Sequence, residues 1–164
     1  LALKSPYRVR RILTFFDSDI DPLGASYHIR QALIAIGSGG IFGLGLGNSR
    51  QKYSYLPEAT TDSIFAIIGE ELGLIGAVIL IGIFAYFFYS ATRLTLKISD
   101  PFGRMLGMGI IAWLAVQTLV NVGSIVGLIP LTGVPLPFIS YGGSALVIEL
   151  VGVGILGNIW RVNR

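Results

Sequence analysis

Cysteine is absent from the chain, and histidine occurs once, as His28. The first absence excludes disulfides and every cysteine-ligated metal centre, and the second leaves too few donors for a zinc site of the usual kind. Charge is scarce as well. Lys, Arg, Asp and Glu make up 13% of the residues, where a soluble domain carries about 25%. The few charges are unevenly placed: none falls between Leu72 and Thr92, and none between Met105 and Val147. Both runs reach the roughly 20 residues that cross a bilayer as a helix. With 53% hydrophobic residues and a mean hydropathy of +0.75, the composition describes a polytopic membrane protein. The net charge of +3 then reflects topology and anionic lipid, and no nucleic-acid partner is expected.

The same distribution divides the chain into an all-α membrane helix bundle with two large connections. Residues 1–61 read as an extracytoplasmic loop containing an amphipathic stretch from Tyr27 to Ile36. Spans are expected at 64–92, 105–128 and 143–160, with Pro101 as a breaker between the first two. Residues 129–142 form a re-entrant-like outer loop, stiffened by Pro130, Pro135 and Pro137 and ending on Gly142 and Gly143. Irregular backbone of this kind survives at membrane depth only where protein or a water-filled cavity satisfies it. Arg93, Lys97 and Arg104 lie between two spans, and Arg161 and Arg164 close the chain. The positive-inside rule makes both places cytoplasmic, so the 1–61 and 129–142 segments face outward together. The chain opens on Leu1-Ala2-Leu3, which reads as the tail of a further span, and is expected to be a fragment that does not catalyse alone.

Few polar residues interrupt the apolar runs, and each is a candidate for chemistry. Asp62 sits immediately before the first span. It is either a helix N-cap, accepting an orphan backbone N–H, or a reactive carboxylate. On an ideal helix Ala66, Gly69, Gly73 and Leu80 fall on its side, a stripe of small residues open to a neighbouring helix or a lipid tail. Glu70 projects to the same side, about 12 Å along the axis, while Glu71 reads as a headgroup-level charge. Glu149 lies about 9 Å inside the third span, where a carboxylate costs roughly 2.5–3.5 kcal/mol and must face the bundle interior. Gln117 and Asn121 are its natural partners, and interhelical hydrogen bonding is their simplest role. Gly142, Gly143 and Ser144 offer backbone N–H groups at a helix start, suited to phosphate or merely to a tight turn. Gly43, Gly45 and Gly47 lack the surrounding βαβ unit of a nucleotide loop.

Longer motifs carry a family resemblance. They are Asn121 followed by Gly127-Leu-Ile-Pro130-Leu-Thr-Gly133-Val-Pro-Leu-Pro-Phe-Ile-Ser140-Tyr-Gly-Gly-Ser144. Upstream stand Gly37-Ser-Gly-Gly and Gly45-Leu-Gly-Asn-Ser-Arg-Gln-Lys-Tyr-Ser-Tyr-Leu-Pro-Glu58, then Thr61-Asp62 and Ile68-Gly-Glu-Glu-Leu-Gly73. In these the chain resembles the C-terminal portion of the FtsW/RodA/SpoVE (SEDS) family of peptidoglycan polymerases, and the Gly-Asn-Ser-Arg-Gln-Lys wording is most like the FtsW and SpoVE branches. The resemblance implies a peptidoglycan glycosyltransferase of the bacterial cytoplasmic membrane, active in cell division, that polymerises lipid II on a polyprenyl diphosphate. Asp62 would be its general base. Arg50, Lys52, Glu58, Thr61 and Glu70 would contact substrate, as would Asn121, Ser140, Gly142, Gly143 and Ser144. Gln117 and Glu149 would line the cavity, and Arg50, Lys52 or a divalent cation such as magnesium would meet the diphosphate charge. A class B penicillin-binding transpeptidase and other divisome membrane proteins are the implied partners, the transpeptidase packing on the faces with Gly69/Gly73 and Gly103/Gly107. The chain departs from the family pattern at Thr60 and Ser63, where His and Phe are usual, and at Glu149, where Asn or Ser is. A flippase for the same lipid and a non-catalytic scaffold for the transpeptidase are the alternatives.

Overall fold

A computed structural model describes residues 25–48 and 61–162. Among these residues the elements are four helices: α1 (Ala25–Gly39), α2 (Ile64–Thr95), α3 (Pro101–Ile125) and α4 (Gly143–Val162). The last three are long and apolar enough to cross a membrane. This is a multi-pass membrane bundle. Much of the span surface, including Leu74, Val78, Ile81 and Tyr86 on α2 and Leu119 on α3, stands exposed, as surfaces facing lipid tails or further helices do.

Two clusters hold the helices together. At one end Ala32 and Ala35 of α1 meet Phe65, Ala66 and Ile67 at the start of α2, Ile125 at the end of α3, and Leu131 and Leu136 of the following loop. At the other end Ala91, Ile111 and Leu156 join α2, α3 and α4. There the Trp160 indole N–H donates to Thr95 Oγ1 at 3.1 Å, and Thr95 Oγ1 donates to the Ala91 carbonyl at 2.8 Å.

Helix boundaries depart from expectation where local chemistry intervenes. Pro101, expected as the breaker between the first two spans, stands between them as the first residue of the second, which therefore starts ahead of the expected 105. Asp100 is the N-cap, its carboxylate accepting from the Gly103 amide at 2.6 Å, and a proline just inside a helix start sacrifices only an amide that would be an orphan anyway. The same helix ends at Ile125, short of the expected 128, and Gly127 follows with φ of 75°. Within the 1–61 segment the amphipathic stretch read at Tyr27 to Ile36 is a helix, Ala25–Gly39.

The largest departure is a break inside α2. Gly73 adopts φ 68° and ψ −167°, outside the reach of ordinary L residues. In an unbroken helix the Leu74 and Ile75 amides would donate to the Glu70 and Glu71 carbonyls. The glycine loop after α1 is inserted between them instead. Leu44 and Gly45 amides donate to the Glu70 and Glu71 carbonyls, each at 3.0 Å, while Leu74 and Ile75 donate to the carbonyls of Gly40 at 2.9 Å and Ile41 at 3.3 Å. These four backbone groups at the break are thus re-satisfied by protein, the condition for irregular backbone near a bilayer. The approach is close enough that a Cβ at Gly43 would overlap the Glu71 carbonyl and one at Gly73 the Gly43 amide.

Candidate functional site

Residues 61–63 form a turn leading into α2, and Asp62 in it is half-buried. The N-cap position of α2 is held by Ser63, the residue directly after Asp62. Ser63 in turn makes no side-chain capping bond. A serine cap is worth about 1 kcal/mol, and here the hydroxyl is spent elsewhere: Ser63 Oγ and His28 Nε2 of α1 share a hydrogen bond of 3.0 Å, and both residues are buried. On the other side of the turn, Asn121 Nδ2 of α3 donates to the Asp62 carbonyl at 2.9 Å and to the Val134 carbonyl at 2.7 Å. The Asp62 turn is therefore held from two helices at once.

The 129–142 loop explains why polar side chains occur inside the spans. Its prolines remove backbone donors, so its carbonyls cannot be satisfied by a ladder and need donors from elsewhere. Asn121 serves Val134, and Gln117 Nε2 serves Pro135 at 3.1 Å while also donating to Glu149 Oε1 at 2.9 Å. The loop's Phe138 amide needs an acceptor and finds Glu149 Oε2 at 2.9 Å. The Leu136 amide donates to Ser140 Oγ at 2.7 Å. Glu149 is buried and faces the bundle, as its insertion cost demands. Of its two expected partners Gln117 is one; Asn121 is engaged with Asp62 and Val134 instead. Phe138 has φ of 63°, an outlier for an aromatic residue, and its ring meets Phe87 edge-on at 6.2 Å.

Beside this loop and the start of α2 lies a cavity of about 560 Å³, lined by Ile64, Phe138 to Gly143 and Leu146. Ser140, Gly142 and Gly143 are thus at the cavity, with Ser140 also serving as a turn acceptor. Ser144 is exposed beyond it, Thr61 is half-buried in the Asp62 turn, and Glu70 is buried. Glu71, read as a headgroup-level charge, is half-buried, and its Oε1 has no hydrogen-bond partner among the described residues. Arg50, Lys52 and Glu58, together with Thr60, lie outside the described residues. No group of three or more His, Cys, Asp or Glu able to hold a metal gathers among the described residues.

Of the two occupants expected for the small-residue stripe, a neighbouring helix is the one found. Gly69 faces Ile36 of α1, and Gly73 faces Gly43 and Ile41, so the chain's own first helix and glycine loop fill it. The break at Gly73 also takes Leu80 out of the ideal register. Gly107 likewise faces Thr95 and Leu156, and Gly103 is buried. Neither face is free for a partner helix. His28, read in the sequence only as too solitary for zinc, stands beside the Asp62 turn. Nothing in its periodicity could have placed it there, because the bond to Ser63 spans 35 positions.

Fold and site together define a polytopic α-helical membrane protein whose connections at one end converge on a single turn bearing a carboxylate. The chain belongs to the FtsW/RodA/SpoVE family, described as cell cycle protein, which matches residues 1–164. Stage V sporulation protein E of Bacillus subtilis (strain 168) is 47% identical over 164 residues, covering 100% of this chain and 45% of that protein. A probable peptidoglycan glycosyltransferase FtsW of Buchnera aphidicola subsp. Baizongia pistaciae is 50% identical over 159 residues, covering 95% of this chain and 42% of its own. Among solved structures, a peptidoglycan synthase complex described as coordinating polymerization and crosslinking is similar with a TM-score of 0.73 and 29% identity, over 98% of this chain and 43% of that one. A mutant of the Thermus thermophilus rod shape determining protein RodA gives a TM-score of 0.62 and 29% identity, over 93% of this chain and 47% of that one. The chain spans less than half the length of each of these relatives.

Proposed function

We propose that the chain carries the catalytic turn of a peptidoglycan glycosyltransferase that polymerises lipid II during cell division, with Asp62 as the general base. The observation that carries this reading is the Asn121 amide, which joins the peptide of Asp62 to the loop rimming the 560 Å³ cavity. An acidic residue whose backbone is fixed close to a cavity is suited to take the proton of a hydroxyl bound there. The names of the FtsW relatives support the same reaction.

In the proposed step an acceptor sugar hydroxyl gives its proton to Asp62 while its oxygen bonds to the anomeric carbon of the growing glycan. The bond from that carbon to the diphosphate breaks, the polyprenyl diphosphate leaves with the electron pair, and the configuration inverts. Diphosphate is a good leaving group, so no paired general acid is needed. Its charge is assigned to Arg50 or Lys52. A divalent cation such as magnesium, carried in by the diphosphate itself, would supply the same charge neutralisation.

This reading places the protein in the bacterial cytoplasmic membrane with its C-terminus in the cytoplasm, as its Lys and Arg distribution favours. A class B penicillin-binding transpeptidase is the proposed partner, in keeping with the synthase complex among the structural relatives. Its single helix would pack on exposed apolar faces, since the glycine faces are occupied.

The test is polymerisation of lipid II in detergent by the intact protein, with Asp62→Ala and Asp62→Asn alongside. Loss of a general base predicts a fall of about 100-fold or more. Normal polymer formation by Asp62→Ala would overturn the assignment. Failure of the unaltered protein to make polymer without a second leaflet would favour lipid transport instead.

A further inference from the structure

We infer that His28 is a positioning residue for the reaction, acting through Ser63 to fix the turn that carries Asp62; the inference rests on the reading of Asp62 as base.

Two independent observations lead to it. Ser63 Oγ lies 3.0 Å from His28 Nε2, with both residues buried. Ser63 also occupies the N-cap of α2 yet caps nothing, so its hydroxyl has left its local partner for one on another helix. A buried polar pair formed at the expense of a local cap fixes the relation between two elements. The elements here are α1 and the residue directly after Asp62.

The remaining constraints show what this bond adds. Asn121 holds the Asp62 carbonyl from α3, which restrains the turn from one side. His28 supplies a second attachment from α1. That helix is itself anchored by Gly39 packed against the Gly69 and Glu70 backbone, and by the glycine loop bonded into the break of α2. Attachments from two separately anchored helices restrain the turn's orientation, and displacement of a reacting group by about 1 Å can cost on the order of 100-fold in rate.

The experiment measures kcat and KM for lipid II polymerisation by the intact protein and its His28→Ala, His28→Gln, Ser63→Ala and His28→Ala/Ser63→Ala variants, with Asp62→Ala as control. Thermal unfolding in detergent is followed for each. A Gln side chain can donate or accept at nearly the reach of His Nε2, so His28→Gln should restore most of the rate. His28→Ala should lower kcat about tenfold with KM changed less than about twofold. Ser63→Ala should do the same, and the double variant should be no worse than either single one, as expected for one shared interaction. Ser63→Ala removes only a hydroxyl and tests the same bond should His28→Ala fold poorly. Unchanged kcat in Ser63→Ala, additive losses in the double variant, or a His28→Gln enzyme no better than His28→Ala would each overturn the inference while Asp62→Ala stays inactive. A fully active Asp62→Ala enzyme would instead remove the base, and the positioning role with it.

Discussion

Gln117 Nε2 donates to Glu149 Oε1 across 2.9 Å, joining α3 to α4 within their apolar runs. Neither residue spends its polarity on the other alone. Gln117 also serves the Pro135 carbonyl and Glu149 the Phe138 amide, so the pair is a bracket for the proline loop. Substitutions here should therefore act first on the loop and then on the bundle.

At Glu149, a Gln retains one acceptor and should cost about 1 kcal/mol. Glu149→Leu strands the Phe138 amide and part of Gln117 and should cost about 2–4 kcal/mol. Glu149→Lys buries an unpaired cation and should reduce membrane insertion and yield most. Thermal unfolding and expression in the membrane fraction order the three variants. A Lys variant as stable as the parent would mean the site is wet.

Asn121 donates to two carbonyls, so the sign of its replacement can be foreseen. Asn121→Ala loses both bonds and should lower stability by about 1–3 kcal/mol. Asn121→Asp places an acceptor against two acceptors and should be worse than Ala, despite its nearly identical shape. The reverse order in thermal unfolding would show that the amide is not the donor to Asp62 and Val134.

At the broken helix, Gly73→Ala and Gly43→Ala each set a Cβ into facing backbone, and each position also has positive φ. Losses of about 2–4 kcal/mol are expected. Gly82→Ala on the same helix has open space around it and should be neutral or stabilising by up to about 1 kcal/mol. Equal effects at Gly73 and Gly82 in thermal unfolding would mean that the loop does not dock.

Asp100→Ala removes the carboxylate that caps α3, for an expected loss of about 1 kcal/mol. Asp100→Ser or Asp100→Asn should recover most of it. A Pro101→Ala variant should leave the helix start in place, since the cap rather than the proline defines it. Amide exchange at 101–104 reads both effects.

The three spans were legible because long charge-free runs admit few other structures, and the inward face of Glu149 followed from its insertion cost. The start of the second span was placed too late, at 105, because a proline reads as part of a connection until the cap before it is recognised; Asp100 was the available signal. The docking of the glycine loop was hard to read, since its bonds at Gly40, Ile41, Leu44 and Gly45 are all backbone to backbone, and the glycines it requires, Gly43 and Gly73, read equally well as loop flexibility or helix packing. Asp62 could be singled out by its place before an apolar run. What holds it could not, because His28 and Asn121 reach it from distant positions that no helical period connects.

The break in α2 also bears on the order in which the chain is made. A helix interrupted at Gly73 and released alone into hydrocarbon would present the Glu70 and Glu71 carbonyls and the Leu74 and Ile75 amides without partners, at several kcal/mol for each group. Residues 40–45 precede it in the chain, so they leave the ribosome before the segment they repair. The loop backbone is therefore already made when the segment around Gly73 emerges, and synthesis from the N-terminus delivers the two in the order that lets the break form with its partners at hand.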